Sequence, residues 1–496
     1  MTNISFYGKP LTLYNLAKYV LDYTKITEKH RDVWCDPLEK NVKLYARHLY
    51  LKPRGTYKST IYTVSFTINL LIQDWFDNNG KFTKRILVAS ATNELAQQFV
   101  GEIKQHLTEN EKLHRVFGYN PVKRDNQQEV WLYPRVVKKE PNIKAKGALS
   151  GLTSEHYDII ICDDLANSED RESETIREKK KRWLQDLISI LEPDGLLIVI
   201  GTRWHSAEIY QEIIDNNKKL PESSKYHIEI EAVVDEDNNL LFPTIIDHEK
   251  IKSLKIEKGL VEFYSQYMNN PLPAETQLFS LDKLHFYDEA QASLEKEYNF
   301  AYMDPALGSI GKGDNDLIVV LFCARKENTI FIRDCIITNT ATPDDVIKQM
   351  KELYDLYDCS YAAIESNGYQ TLFAKAVREY NMIVSEIRSN KPKAIRIESI
   401  APAVAMGKVK FRDDWKVKYP ELIEQLVIYP VGKNDDVPDA IHGALKSGLG
   451  KLTGIKKEKL TGLVSSKTGL LRGKIYGRYS HEKAKEARGW RSRNRA

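Results

Sequence analysis

Hydrophobic positions in the first half of the chain follow two periods. Ile61, Val64, Ile68, Leu71, Ile72 and Trp75 recur at helical spacing, which predicts a helix over ~59–76 with one buried face. Between stretches of that kind stand short runs that are apolar on both sides: "RILVAS" (85–90), "YDIIICDD" (157–164) and "LLIVIGT" (196–202). Such β-branched runs are the mark of central parallel strands covered by helices on both faces. A second helix, carrying Leu95, Phe99, Ile103 and Leu107 on one side, follows the first run. The alternation predicts an α/β fold with a mainly parallel sheet. Polar residues stand where each run ends, the edge at which open sheets hold ligands.

The pattern changes near residue 245. "LFPTIIDHEKIKSLKIEKGLVEFYSQYMNNPLPAE" has no long buried strand and ends in Asn-Asn-Pro-Leu-Pro, which breaks helices and ladders. Residues 245–275 therefore read as a connector between a first domain, 1–244 with a helical lead-in over 1–44, and a second domain, 276–450. The second domain starts at "NFAYMDPA". Two strands, "LIVVLFCAR" and "TIFIRDCII", follow around "KEN" and read as a hairpin. A helix with Val346, Ile347, Met350, Leu353 and Tyr357 on one face comes next, then the strand "YAAIES" and a final helix from "VPDAIHGALKS". Hairpin first, then helix and strand in turn, predicts a mixed sheet with helices on its faces.

With 496 residues the chain is too long for one hydrophobic core. No apolar run approaches the ~20 residues that span a bilayer. The start lacks a basic segment leading into an apolar stretch, so no secretory signal is expected. Five scattered cysteines without a Cys-x-x-Cys fit reduced thiols better than a disulfide framework or zinc site. Charge is uneven. Residues 451–496 hold 14 Lys/Arg against 3 Asp/Glu, an excess of +11 that leaves the rest of the chain at −7 within a total of +4. That segment reads as a flexible basic tail suited to nucleic acid or an acidic partner, although the same composition also serves a merely solvated tail.

Candidate chemistry begins at "LKPRGTYKST" (51–60). A phosphate-binding loop uses glycines so that backbone N–H groups can close on a polyphosphate, followed by Lys and Ser/Thr. Lys58, Ser59 and Thr60 keep that ending, but the two usual glycine positions hold Pro53 and Tyr57, and Gly55 lies between them. A Cβ at Tyr57 disfavours positive φ. The loop stands directly before an amphipathic helix, so bound phosphates would meet its positive end. A buried strand about a hundred residues on ends in Asp163-Asp164, and the third strand ends in Thr202-Arg203-Trp204-His205. As a nucleotide site, Arg54, Gly55, Thr56, Lys58, Ser59 and Thr60 cradle ATP. Lys58 meets the β/γ-phosphates, Ser59 binds magnesium, Asp163 holds a magnesium-bound water and Asp164 orients the attacking water. Arg54 stabilises developing charge from within the chain. The structural alternatives are a helix cap at Asp163-Asp164, a surface charge at Arg54, and packing roles for Trp204 and His205.

The second domain places acids at element ends: Asp304 in "AYMDPALG", Glu365 in "AAIESNG", and Asp439 just after Pro438 in the first turn of the last helix. Three carboxylates distant in sequence are what an oxygen-ligated divalent pair needs. Two magnesium ions ~4 Å apart would activate water and stabilise a leaving 3′ oxygen. Asp436 and Asp435 are alternates or auxiliaries in the same loop, with Asp436 a further candidate ligand. Lys393 and Arg396, in "KPKAIRIESIAP", would face a DNA backbone or the site, or form an ordinary basic helix face.

"PRGTYKST", "IIICDDL", "VIGTRWH" and "FYSQYMNNPLP", in that order, resemble the large subunit of tailed-bacteriophage terminases, the motors that pump DNA into capsids. The likeness covers residues 45–450. One branch of that family writes its phosphate loop as Pro-Arg-Gly, two variable residues and Lys-Ser-Thr. At Asp164 the motors more often carry Glu, so the shorter side chain must reach through a shifted backbone or a water. The resemblance implies an N-terminal P-loop ATPase joined to a C-terminal RNase H-like endonuclease with Asp304, Glu365 and Asp439 as catalytic acids. Thr202 and Arg203 would sense hydrolysis. ATP and magnesium would be the cofactors, with manganese possible at the nuclease. Double-stranded DNA, a terminase small subunit and the capsid portal protein would be the partners. The chain would act in the host cytoplasm, off the membrane, as a homo-oligomeric ring only when docked on the portal. Two rival classes share parts of this reading. A DNA-dependent helicase or remodelling ATPase would lack the three acids, and a resolvase- or transposase-like nuclease would not need Lys58.

Overall fold

The computed structural model describes residues 5–6, 9–152, 154–272, 277–290, 296–305, 317–365, 371–389, 391–432 and 434–450. The basic tail expected over 451–496 lies outside these residues. The chain divides into two compact units, Met1–Thr276 and Gln277–Ala496. Among the described residues, no helix is long and apolar enough to cross a membrane.

Among the described residues, the main sheet of the first unit has eight strands: β1 Arg47–Leu51, β2 Ile86–Ser90, β3 Val122–Asp125, β4 Glu129–Leu132, β5 Ile143–Gly147, β6 Tyr157–Asp163, β7 Leu191–Gly201 and β8 Tyr226–Ile230. Their order across the sheet is β8-β1-β7-β6-β2-β5-β4-β3. β8 to β5 run parallel, and β4 and β3 continue antiparallel at one edge. Successive side chains of a strand point to opposite faces, and here both faces are buried. Val88, Ile161, Ile198 and Ile200 enter a core with Ile61, Val64, Phe66 and Ile68. Their neighbours Leu87, Ala89, Ile160, Cys162, Leu197 and Val199 enter a second core with Trp183, Leu184, Leu187 and Ile209. The apolar-on-both-sides runs thus became the sheet centre.

The predicted helix after the loop is present as Thr60–Ser65, wound with wide turns, continuing into Phe66–Asp77. The following helix, Asn93–Glu109, buries Ala96, Val100, Ile103 and Leu107, so its buried stripe is rotated from the predicted one and leaves Leu95 and Phe99 half-buried. β7 begins at Leu191, five residues before the expected run, because Leu191 pairs with Tyr157 and Glu192–Gly195 then bulge across a register shift before Leu196 pairs with Ile159. Residues read as a connector carry the helices His248–Lys258 and Leu260–Gln266. These share a small core of Val233, Ile246, Ile251, Leu254, Phe263 and Tyr267. The segment is tied to the strand ends of the first unit: Arg54 N donates to Gln266 O at 3.0 Å, Val233 N to Tyr267 O at 2.9 Å, and Asn269 Nδ2 to Glu231 O at 2.8 Å.

The second unit holds β9 His285–Tyr287, β10 Tyr298–Asp304, β11 Ile318–Lys326, β12 Thr329–Thr338, β13 Cys359–Glu365, β14 Val384–Ile387 and β15 Val409–Arg412. Their order is β9-β15-β12-β11-β10-β13-β14. β10, β11 and β12 form an antiparallel meander, with Glu327 at φ 50° in the hairpin turn, and the flanking strands add in parallel. The sheet is mixed, as the hairpin-first pattern predicts. The helix Pro343–Leu356 covers one side through Val346, Ile347, Met350 and Tyr354. The helix Asp436–Leu449 packs on β10 and β11.

Candidate active sites

In the first unit, β1 delivers the chain into the loop at Lys52, whose N–H bonds to Gly201 O at 3.0 Å. Lys52 is fully buried, bound to Glu229 and Glu231 at 2.8 Å each and set against the rings of Trp34, Tyr50 and Tyr62. The loop's root is therefore fixed. Gly55 (φ 79°) and Tyr57 (φ 66°) both take left-handed backbone, so Tyr57 adopts the conformation that a glycine usually supplies. Its ring leans edge-on toward His30, which stacks on Phe242 with centroids 3.9 Å apart. Burial pushes the His30 imidazole down to about 4, so it packs as a neutral ring. The Thr56 hydroxyl donates to Pro53 O at 2.6 Å and closes the turn. Ile61 N reaches back to Tyr57 O at 3.1 Å, so the helix starts immediately after the loop, with Lys58, Ser59 and Thr60 in its first turn.

β6 carries the two acids to this helix end. Asp163, the last residue of the strand, is fully buried, and its Oδ2 accepts from the Thr63 hydroxyl at 2.6 Å. Burial and then the adjacent Asp164 push the Asp163 carboxyl up to about 6, against the Lys58 charge and hydrogen bonds from Thr63 and Ser59. Asp164 turns out of the strand at φ 50° and binds Lys58 Nζ at 3.0 Å, while its Oδ1 is buried without a partner among the described residues. Ser59 and Asp163 offer oxygen donors side by side, a set that suits magnesium.

Thr202 is buried at the end of β7, its hydroxyl 3.4 Å from Lys52 O. Arg203, expected beside it as a sensor, is committed elsewhere: Nε binds Glu208 at 3.1 Å and Nη2 binds Gln211 at 2.7 Å. Glu208 also accepts the N–H groups of Trp204 and His205, so this turn is a structural cap. Arg54 Nη1 donates to Gln266 Oε1 at 2.7 Å and its guanidinium lies 5.8 Å from the Trp204 ring. Thr63 and Gln266 were missed in the sequence. Thr63 was findable, because it stands one helical turn after Ser59 on the same face; Gln266 gave no signal.

In the second unit, β10 ends in Asp304, β13 ends in Glu365, and the first turn of the last helix presents Asp439. One carboxylate oxygen from each lies within 4.8 Å of the others, with Asp304 half-buried and Glu365 and Asp439 buried. Tyr302 donates its hydroxyl to Glu365 Oε2 at 3.0 Å. Burial, then the nearby Glu365 and Asp439, push the Asp304 carboxyl well above its ordinary range. Burial likewise raises Asp439 to about 7, against the pull of Arg396. Asp439 Oδ1 has no partner among the described residues. Crowded, desolvated carboxylates with an orphaned oxygen fit a hard divalent cation.

The neighbours of the acids correct one expectation and decide among the alternatives left for another. Asp436 does not join the cluster: its Oδ2 accepts from Leu317 N at 3.2 Å and its Oδ1 is held by Lys393, which also binds Asp435 at 2.6 Å. Lys393 and Arg396 face acids and not an open basic surface. Arg396 bridges Glu365 Oε1 at 2.8 Å and Asp439 Oδ2 at 2.6 Å. Tyr302 and Gly443 were also missed. A Cβ on Gly443 would fall 1.9 Å from Tyr302 Cζ, so glycine lets the last helix settle onto that ring.

Residues 301–447 match the family model described as the terminase RNaseH-like domain. The chain is similar to the large terminase of bacteriophage HK97, at 11% identity and a TM-score of 0.37 over 84% of this chain and 91% of that one. It is similar to the large terminase from a thermophilic bacteriophage in complex with ATP-gamma-S, at 11% identity and a TM-score of 0.28 over 82% and 94%. It is also similar to the large terminase nuclease from thermophilic phage G20c with bound cobalt, at 18% identity and a TM-score of 0.26 over 35% and 98%. No curated protein matches the chain.

Proposed function

We propose that this chain, whose second unit matches the terminase RNaseH-like domain, is a terminase large subunit that uses ATP to move viral double-stranded DNA into a procapsid and cuts concatemeric DNA. The observation that carries the reading is the convergence of Asp304, Glu365 and Asp439 within the matched segment. Those three residues would hold magnesium or manganese, whose chemistry at such a site is activation of water and stabilisation of the leaving 3′ oxygen. Tyr302 holds Glu365 in its rotamer, and Gly443 sets the depth at which Asp439 sits.

The motor reading rests on the loop and the two acids of β6. Ser59 and Asp163 would hold magnesium, which neutralises charge on the phosphates. Lys58, which pairs with Asp164, would exchange that partner for the β/γ-phosphates. That exchange would free Asp164, which leaves the strand on left-handed backbone, to orient the attacking water. Arg54, parked on Gln266, is the cation within reach for the transferring phosphate. A small subunit would choose the cutting site, a portal would dock a ring of motors, and the work would take place in the host cytoplasm.

The test is cleavage of supercoiled plasmid in magnesium or manganese, run beside ATP hydrolysis, for wild type, Asp304→Asn and Lys58→Ala. The expected outcome is loss of cleavage in Asp304→Asn with ATPase kept, and the reverse in Lys58→Ala. Well-folded wild type that cuts with neither ion would remove the nuclease half.

A further inference from the structure

Arg396 stands on the helix Lys393–Ala405, which packs against the helix Asp436–Leu449. Its side chain is 12% exposed and ties together two of the three acids, one from a strand end and one from a helix. Both oxygens of Glu365 are thereby engaged, Oε1 by Arg396 and Oε2 by Tyr302. Buried carboxylates this close cannot all stay ionised without nearby positive charge. A guanidinium supplies one charge in a planar fork that spans two carboxylates. Divalent ions supply more charge and compete for the same lone pairs. Cation and guanidinium therefore contend for Glu365 and Asp439.

Resting on the reading of the second unit as a metal nuclease, we propose that Arg396 is a resident counter-ion of the acid cluster that divalent ions displace. It holds Glu365 and Asp439 in place while the site is metal-free and leaves them on loading, so metal binding is an exchange. Arg396 is thus a positioning residue whose removal tightens metal binding while weakening the metal-free fold.

The experiment titrates Mn2+ into the full chain by calorimetry for wild type, Arg396→Gln, Arg396→Lys and Asp304→Asn, and records thermal unfolding of each in EDTA and in Mn2+. Arg396→Gln is expected to lower the Kd for Mn2+ tenfold or more, to melt earlier in EDTA, and to gain more from Mn2+ than wild type does. Arg396→Lys keeps the charge but cannot bridge both carboxylates, so its Kd should fall severalfold. Equal or weaker Mn2+ binding by Arg396→Gln overturns the exchange and leaves Arg396 as a support of the loaded site. Tighter binding by Arg396→Gln with Arg396→Lys unchanged also overturns it, since charge repulsion at a distance would then suffice. If Arg396→Gln does not fold in EDTA, the lysine variant alone decides by the same criterion. Absence of Mn2+ binding by wild type, or unaltered binding by Asp304→Asn, removes the metal reading and the exchange with it.

Discussion

Gly443→Ala sets two physical rules against each other at a single atom. Gly443 lies inside the last helix, one turn beyond Asp439, and helix propensity alone makes alanine there better by roughly 1 kcal/mol. The added Cβ, however, would fall 1.9 Å from Cζ and 2.0 Å from Oη of Tyr302. Overpacking of a filled core costs about 1–3 kcal/mol, and so short a contact belongs at the top of that range. The net expectation is a loss of about 2 kcal/mol. For a unit of this size each kcal/mol shifts Tm by ~2–4 °C, so the variant should melt about 4–8 °C early by calorimetry or circular dichroism. Tyr302 is buried and its hydroxyl holds Glu365, so the ring has little freedom to yield. Relief comes by lifting the helix, which carries Asp439 away, or by swinging Tyr302 off Glu365. Either route spreads the three carboxylates, and Mn2+ affinity should fall with stability. Adding Tyr302→Leu, which vacates the outer ring, should return part of the stability lost in Gly443→Ala. A Gly443→Ala protein that melts at or above wild type with unchanged Mn2+ affinity would refute the reasoning.

Two further outcomes follow from the same geometry. Asp439 is raised to about 7 in the folded state and Asp304 is raised well above its ordinary range, so through the window from the ordinary carboxylate range up to the raised Asp439 the native protein binds more protons than the unfolded chain. Stability contributed at this site therefore falls as pH rises through that window. The metal-free Tm of wild type, measured against Asp439→Asn, should decline from pH 5 to 8, and a flat or rising difference sinks the assignment. At Tyr57, replacement by Gly and by Ala removes the same ring, but only Ala keeps a Cβ at positive φ. Tyr57→Gly should exceed Tyr57→Ala by about 1 kcal/mol in the unfolding of the first unit, an ordering that denaturant titration would reverse if the loop carried no strain.

The sheet centres were legible because both faces of β2, β6 and β7 are buried, leaving a continuous apolar run that no other element produces at that length. The hairpin of the second unit was legible for a related reason, since a strand pair with a two-residue turn is local in sequence. β5 escaped notice because its basic residues alternate with small apolar ones: Lys144 and Lys146 pair with Glu155 on one side while Ile143 and Ala145 face the core. The helices at 248–266 were hidden by their mixed composition and by the prolines that follow them.

The candidate sites were readable as residue types at element ends, but the pairing of neighbouring acids with their separate partners was not. Asp163 and Asp164 are adjacent, and a regular strand would aim them at opposite faces. The left-handed turn at Asp164 sends one to Thr63 and the other to Lys58. Asp436 and Asp439 are three apart, and the sequence left Asp436 as an alternate ligand in the loop before the last helix, whereas the helix begins at Asp436 and carries both on one face. Lys393 decides between them by binding Asp436, and Arg396, three residues later on the same helix, takes Asp439. One basic helix thus reads the acidic turn at matching spacing and separates Asp436 from Asp439, the one that joins the three-carboxylate cluster. That sorting depends on two helices distant in sequence meeting in register, a tertiary fact to which no local pattern has access.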